Sequence, residues 1–384
     1  MALTLNEEQT YLKDTAKDFF QANAPVAELR KLRDTQDATG FSEELWQQIV
    51  ELGWTGVTFP ETVGDMEIGG LDFGYMGLGA ILEESGRTLA ATPLLSSVVL
   101  GGSAILLGGS ESQQQEYLPG LISGQIRYAL ALEESPHHQP TATAIPATKV
   151  EGGYQLNGKK LFVLDGHTAQ QLIVVARTSG EAGDTNGLSL FVVDANAPGI
   201  TRTRTRMVDS RNAANITFEQ VVVADSQVLG QIDEGYALLE QVLDRARICL
   251  AAEMLGGIQE LFDRTLAYLK ERKQFGVLIG SFQALQHRAA KMFVEIELAK
   301  SAVMGALSAL DESPKRVPVL ASVAKQKVNE VYELVSNEAI QLHGGIGVTD
   351  ELEVGFFLKR ARVAQQAFGD AAFHRARFAT FSGY

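Results

Sequence analysis

Apolar residues near the start of the chain recur at helical spacing, with Leu5, Leu12, Ala16 and Phe19 on one side of a predicted amphipathic helix. The run "FSEELWQQIVELGW" offers Ser42 as a helix cap ahead of a stripe of Leu45, Ile49 and Leu52. Glycine-rich punctuation, "PETVGDMEIGG", separates this from "FGYMGLGAILEESGR", and a further helix is predicted over "PLLSSVVLGGSAILLGG". Near Ile126 the pattern shortens. "YALALEE", "GYQLNGKKLFVLDG", "QQLIVVART", "GLSLFVVDAN" and "NITFEQVVV" read as strands joined by Gly, Asn, Asp and Pro turns. No helix of useful length lies between them, which predicts an antiparallel sheet or small barrel rather than βαβ units. From Tyr236 the helical period returns: Leu239, Val242, Leu243, Ala246, Leu250, Met254, Ile258, Leu261 and Leu266 mark one long helix. Further helices are predicted over 281–310, 316–342 and 351–380, with the glycine-containing turns "FGVLIG" and "HGGIGVTD" between them. The expected fold class is α+β: an N-terminal helical domain (1–125), a central antiparallel β domain (126–235) and a C-terminal four-helix bundle (236–384).

Bulk properties narrow the function. At 384 residues the chain exceeds the size at which a single core keeps growing, so several sub-domains are expected. Its 45% hydrophobic and 21% charged residues are those of an ordinary globular protein. The formal net charge of −14 argues against a nucleic-acid partner, whose phosphates need Lys and Arg. A single cysteine, Cys249, gives neither a disulfide framework nor a thiolate metal site, and its apolar neighbours suit a buried small hydrophobe. The N-terminus lacks the basic and apolar regions of a signal peptide. No stretch reaches the roughly 18 apolar residues of a membrane span, so a cytoplasmic protein is expected.

Several chemistries find no support. The six histidines are scattered, HExxH is absent, and no metal centre is expected. No GxSxG nucleophile elbow occurs, and the glycines of "GYMGLGA" do not follow a strand as a dinucleotide fingerprint requires. What stands out is a break between two C-terminal helices, "YLKERKQFGVLIGSFQALQH". It sets Arg272, Phe275 and Gln283 together; "QLHGGIG" adds Gln341 and the glycines Gly344 and Gly345. A guanidinium grips phosphate bidentately, amides hydrogen-bond, and a glycine turn lets backbone approach a ligand. Together they suit a pyrophosphate and an adenosine, although a solvated basic face at a helix break has the same composition.

At these residues the chain resembles the acyl-CoA dehydrogenase family over nearly its whole length. "PETVGDMEIGG", "GGSESQQQEYLPGLISGQ", "ERKQFGVLIGSFQALQH" and "QLHGGIGVTDE" each resemble a family signature. The resemblance implies FAD, an acyl-CoA substrate, a tetramer built as a dimer of dimers, and electron transfer to a soluble electron-transfer flavoprotein. It implies that Arg272, Phe275, Gln283, Gln341, Gly344 and Gly345 reach the FAD of a neighbouring subunit. In "LDRAR", Asp244 and Arg247 take the places of the family's acid–Arg pair at the acyl-CoA; a plain i,i+3 ion pair would look the same.

The chain also departs from the family. Where most members carry Thr-Glu-Pro and a small-residue turn beside the flavin, this chain has "EESPHHQP", with Glu133 in the threonine place. Where they carry Trp-Ile-Thr, it has Phe162-Val163-Leu164, and Leu164 cannot donate a hydrogen bond to the flavin. The family's alternative positions for the catalytic base fall on Phe368 and Ala246. Asp370 and Glu253 are the nearby candidate substitutes; their plainer roles are a helix cap and a buried, paired acid. In these departures the chain resembles the smaller, degenerate partner of two-subunit members of the pimeloyl-CoA dehydrogenase type. Three readings stand: a dehydrogenase subunit whose partner supplies the base, a self-sufficient homotetramer with a relocated base, and a non-redox acyl-CoA-binding subunit.

Overall fold

A computed structural model describes residues 4–384. Three helices lead: α1 (Glu7–Asn23), α2 (Val26–Asp34) and α3 (Glu43–Glu51). Asn6 caps α1 by accepting from Gln9 N at 2.7 Å, and the Gln9 side chain accepts from Asn6 N in return. Ser42 caps α3 through Leu45 N at 3.1 Å, as its spacing predicts, and Leu45 and Ile49 face inward. Leu52 leaves the predicted stripe for solvent because it is the C-cap, where the helical face ends. A short ribbon, β1 (Thr62–Val63) and β2 (Met66–Glu67), precedes α4 (Tyr75–Arg87). The helix predicted over the "PLLSSVVLGG" run is a π-helix at Leu94–Gly102 that passes into α5 (Ser103–Gly108), followed by α6 (Glu111–Ile122). Close packing goes with it: a Cβ at Gly101 would stand 2.2 Å from the Tyr128 Cβ.

The strands are β3 (Tyr128–Ala131), β4 (Ala147–Val150), β5 (Gly153–Leu164), β6 (Gln171–Arg177), β7 (Leu188–Asp194), β8 (Ile200–Arg206), β9 (Asn212–Ala224) and β10 (Val228–Leu229). They form two four-stranded sheets, ordered β10-β7-β6-β3 and β4-β5-β9-β8. Residues of both, including Leu156, Val174, Phe191, Ile216 and Phe218, share one core. The expectation of a wholly antiparallel sheet is corrected at one pair: β3 and β6 run parallel, Tyr128 opposite Gln171. Between them the chain crosses to the other sheet and back through β4 and β5, so it re-enters in its original direction. Three of these strands escape the sequence reading, the two-residue β10 among them. β4 is short, and β8, "ITRTRTR", alternates Thr and Arg with scarcely any apolar face.

The C-terminal part holds α7 (Gly235–Glu271), a hairpin of β11 (Lys273–Gln274) and β12 (Val277–Leu278), then α8 (Gln283–Glu312), α9 (Val317–His343), α10 (Val354–Gln366) and α11 (Ala371–Phe381). The single helix predicted over 351–380 is two, parted where Phe368 and Gly369 take positive φ of 58° and 109°. By contacts the chain forms two compact units. One gathers the segment ending at Thr35, Tyr75–Ala90 and Arg247–Tyr384; the other gathers Gln36–Gly74 and Ala91–Ala246. In the first, Asp311 of α8 accepts from Tyr75 N and Met76 N at the start of α4 (2.7 and 2.9 Å), and Arg30 and Arg33 hold Asp350 at 2.7 Å. Among the described residues no helix is long and apolar enough to cross a membrane, and no cluster of metal-ligating side chains forms.

Candidate functional site

The helix break becomes a two-residue hairpin. Lys273 pairs with Leu278 and Gln274 with Val277, leaving Phe275 and Gly276 as the turn. Both have positive φ, 52° and 80°, the arrangement a two-residue hairpin prefers but one costly for Phe. Phe275 is 93% exposed, and Phe282 meets it edge-on at a ring separation of 6.3 Å. A strained backbone thus presents a bare aromatic ring to solvent. Arg272 and Gln283 flank the hairpin, both exposed, with no side-chain partner among the described residues.

The second turn follows α9. Gly344, at φ 65°, ends the helix, and nothing lies within 4 Å of where a Cβ on Gly344 or Gly345 would stand. The two glycines therefore bare their backbone to open space. Gln341 is exposed and, like Arg272, has no side-chain partner among the described residues. One contact joins the two turns. Tyr268, in the last turn of α7, stacks on His343, the last residue of α9, with centroids 4.4 Å apart and rings 31° from parallel. Its hydroxyl donates to the His343 carbonyl at 3.3 Å. Burial lowers the His343 pKa and keeps the ring neutral, while its Nδ1 meets the Ala339 carbonyl at 2.8 Å.

Neither base position carries an acid: Phe368 and Ala246 are both buried. Asp370 is exposed and caps α11, accepting from Phe373 N at 2.8 Å. Glu253 is buried on α7 and takes Nε and Nη2 of Arg360 on one carboxylate oxygen, each at 2.9 Å. Each thus makes the contact of its plainer role, a helix cap for Asp370 and an ion pair for Glu253. Asp244 and Arg247 are buried as well, and Arg247 Nε donates to the Phe368 carbonyl at 3.2 Å.

A group that sequence reasoning missed holds the turn between α10 and α11. Fully buried Lys325 donates to Asn329 Oδ1, Ala364 O and Gly369 O at 2.8, 2.9 and 3.2 Å. His374 Nε2 meets the Phe368 carbonyl at 3.1 Å. These contacts satisfy carbonyls left over at the end of α10 and fix the left-handed Phe368. Desolvation first, then Arg247 and Arg360, hold the Lys325 pKa well below its ordinary value. One sequence signal marks it: Lys325 falls on the apolar stripe Ala321, Val328, Tyr332, Val335 and Ala339.

In the β region, Glu133 meets His138 Nδ1 at 2.5 Å, and Glu134 binds buried Lys160 at 2.7 Å. Burial pushes Lys160 down to about 8 against the pull of Glu134. Phe162 stands in a β-bulge at φ 51°, partly exposed, and Leu164 has no polar side-chain atom to offer.

Helices, paired β sheets and a helical bundle, in that chain order, define the fold of an acyl-CoA dehydrogenase. The chain belongs to that family. Residues 6–125, 135–221 and 233–382 match the family's N-terminal, middle and C-terminal domains. It is 33% identical over 384 residues to a probable acyl-CoA dehydrogenase of Bacillus subtilis, covering 98% of each chain. Butyryl-CoA dehydrogenase from Megasphaera elsdenii superposes with a TM-score of 0.89 at 26% identity, covering 100% of both chains. A variant of the Tcur3481-Tcur3483 steroid ACAD does so with a TM-score of 0.86 at 32% identity, covering 99% of both. Members of the family are FAD-dependent oxidoreductases.

Proposed function

We propose that this chain is a subunit of an FAD-dependent acyl-CoA dehydrogenase in which another subunit supplies the catalytic base. One observation carries the reading: the two acids near the base positions are spent elsewhere, Glu253 on Arg360 and Asp370 on the cap of α11. The name Tcur3481-Tcur3483, which has two components, supports a mixed assembly.

Arg272, Gln283 and Gln341, open in this chain, are suited to hold the diphosphate and polar edges of an FAD seated on the neighbouring subunit, and Gly344-Gly345 leave room for its approach. The chain's own β region fits the ring less well, because Leu164 donates nothing and Glu133 is tied to His138. FAD, when bound, takes up the hydride that leaves the β-carbon of the acyl chain. The α-proton passes to a carboxylate of the partner subunit, and the electrons leave to a soluble flavoprotein carrier. A dimer of dimers in the cytoplasm completes the reading.

The test is deuterium exchange at the α-carbon of straight- and branched-chain acyl-CoA thioesters in D2O. The isolated chain gives none, and exchange starts when the base-bearing subunit is added. Exchange by the isolated chain that is lost in Asp370→Asn or Glu253→Gln would overturn the proposal.

A further inference from the structure

We infer that Tyr268 and His343 are positioning residues: their stack ties the hairpin after α7 to the glycine turn after α9, so the two present their groups to the cofactor as one surface. The inference rests on the reading that those groups meet FAD.

Both turns are short and open on their outer side. The hairpin has two residues per strand, closed by Ile279 N donating to Arg272 O at 2.8 Å, and Phe275, Val277 and Leu278 face solvent. A ribbon of that size has little stability of its own. The glycine turn is a five-residue 3-10 helix, Gly344–Val348, with open space at Gly344 and Gly345. Precision must therefore come from the helix ends behind them. Tyr268 sits at the root of the hairpin, since Arg272 N donates to Tyr268 O at 2.9 Å in the last helical turn. His343 directly precedes Gly344. The Tyr268 hydroxyl also donates to the carbonyl of His343, where α9 ends. The 3.3 Å hydroxyl contact is long, so the ring stack at 4.4 Å carries most of the coupling. The Nδ1 contact with Ala339 O fixes the tilt of the imidazole on which Tyr268 lies. Small displacements of ligand-holding groups cost affinity steeply. A slack stack would let Arg272 and Gln341 move apart while both helices remain folded.

The experiment strips the assembled enzyme of its flavin and titrates it with FAD. Tyr268→Leu and His343→Gln each weaken FAD about tenfold, while Tyr268→Phe, which keeps the ring, stays within about threefold. In the Tyr268→Leu background, Gln341→Ala costs much less than in the unaltered chain, a non-additivity that a purely structural contact does not produce. Thermal midpoints of the variants verify folding, and His343→Gln stands in should Tyr268→Leu fail to fold. Arg272→Ala separates the two claims. If it leaves FAD affinity unchanged, the flavin reading falls. If Arg272→Ala weakens FAD and neither Tyr268→Leu nor His343→Gln does, or if Gln341→Ala is additive with them, the positioning inference falls and the flavin reading stands.

Discussion

Arg360 places Nε and Nη2 on the same oxygen of Glu253, both at 2.9 Å, with the two side chains 10% and 7% exposed. An acid so engaged is a structural partner. Glu253→Gln leaves the Arg360 charge buried and unbalanced, a loss of about 3–5 kcal/mol. Replacing both residues by Met recovers most of that loss, because similar volumes are filled without a lone charge. Denaturant midpoints measure both outcomes. α-Proton exchange in the assembled enzyme is unchanged in Glu253→Gln.

Asp370 works as a cap. Asp370→Ala loses the acceptor for Phe373 N and about 1 kcal/mol of stability, whereas Asp370→Asn, an equally good cap, is nearly neutral. Neither substitution changes turnover of the assembled enzyme. A turnover loss in Asp370→Asn without a stability loss would make Asp370 the base.

Lys160 gives stability a pH dependence of known sign. Its folded pKa, about 8, lies below the ordinary 10.5, so between those values the unfolded chain binds more protons than the folded one. Stability therefore rises with pH across that window. In Lys160→Met this component of the rise disappears, as unfolding midpoints at pH 7.5 and about 10 in the two proteins show.

Gly345 separates ligand approach from folding. Nothing lies within 4 Å of an added Cβ, and its φ is not in the left-handed region. Gly345→Ala changes stability by less than about 1 kcal/mol. It still weakens FAD, because the methyl group fills space the cofactor uses. Equal FAD affinity in Gly345→Ala and the unaltered protein would remove that turn from the cofactor surface.

Much of this was legible in the sequence because it is local. The Ser42 cap, the long helix from Gly235 and the break at Phe275-Gly276 follow from spacing and turn chemistry among neighbours. Non-local features were not. The parallel partner of β3 depends on where the chain returns after β5, and β8 has little apolar content to mark it. The break at Phe368 has no purely local mark, because the left-handed Phe is held by Arg247 of α7 as well as by His374 of the next helix, while Lys325 of α9 holds the adjoining carbonyls. The pairing of Glu253 has no local signal, because Arg360 is distant in sequence.

The flavin content of the purified chain decides the proposal. Isolated, the chain carries well under one FAD per polypeptide; mixed with a base-bearing subunit it enters an assembly whose flavin is lost when Arg272 is changed to Ala. Full FAD occupancy of the isolated chain, together with turnover of an acyl-CoA by that chain alone, would contradict it.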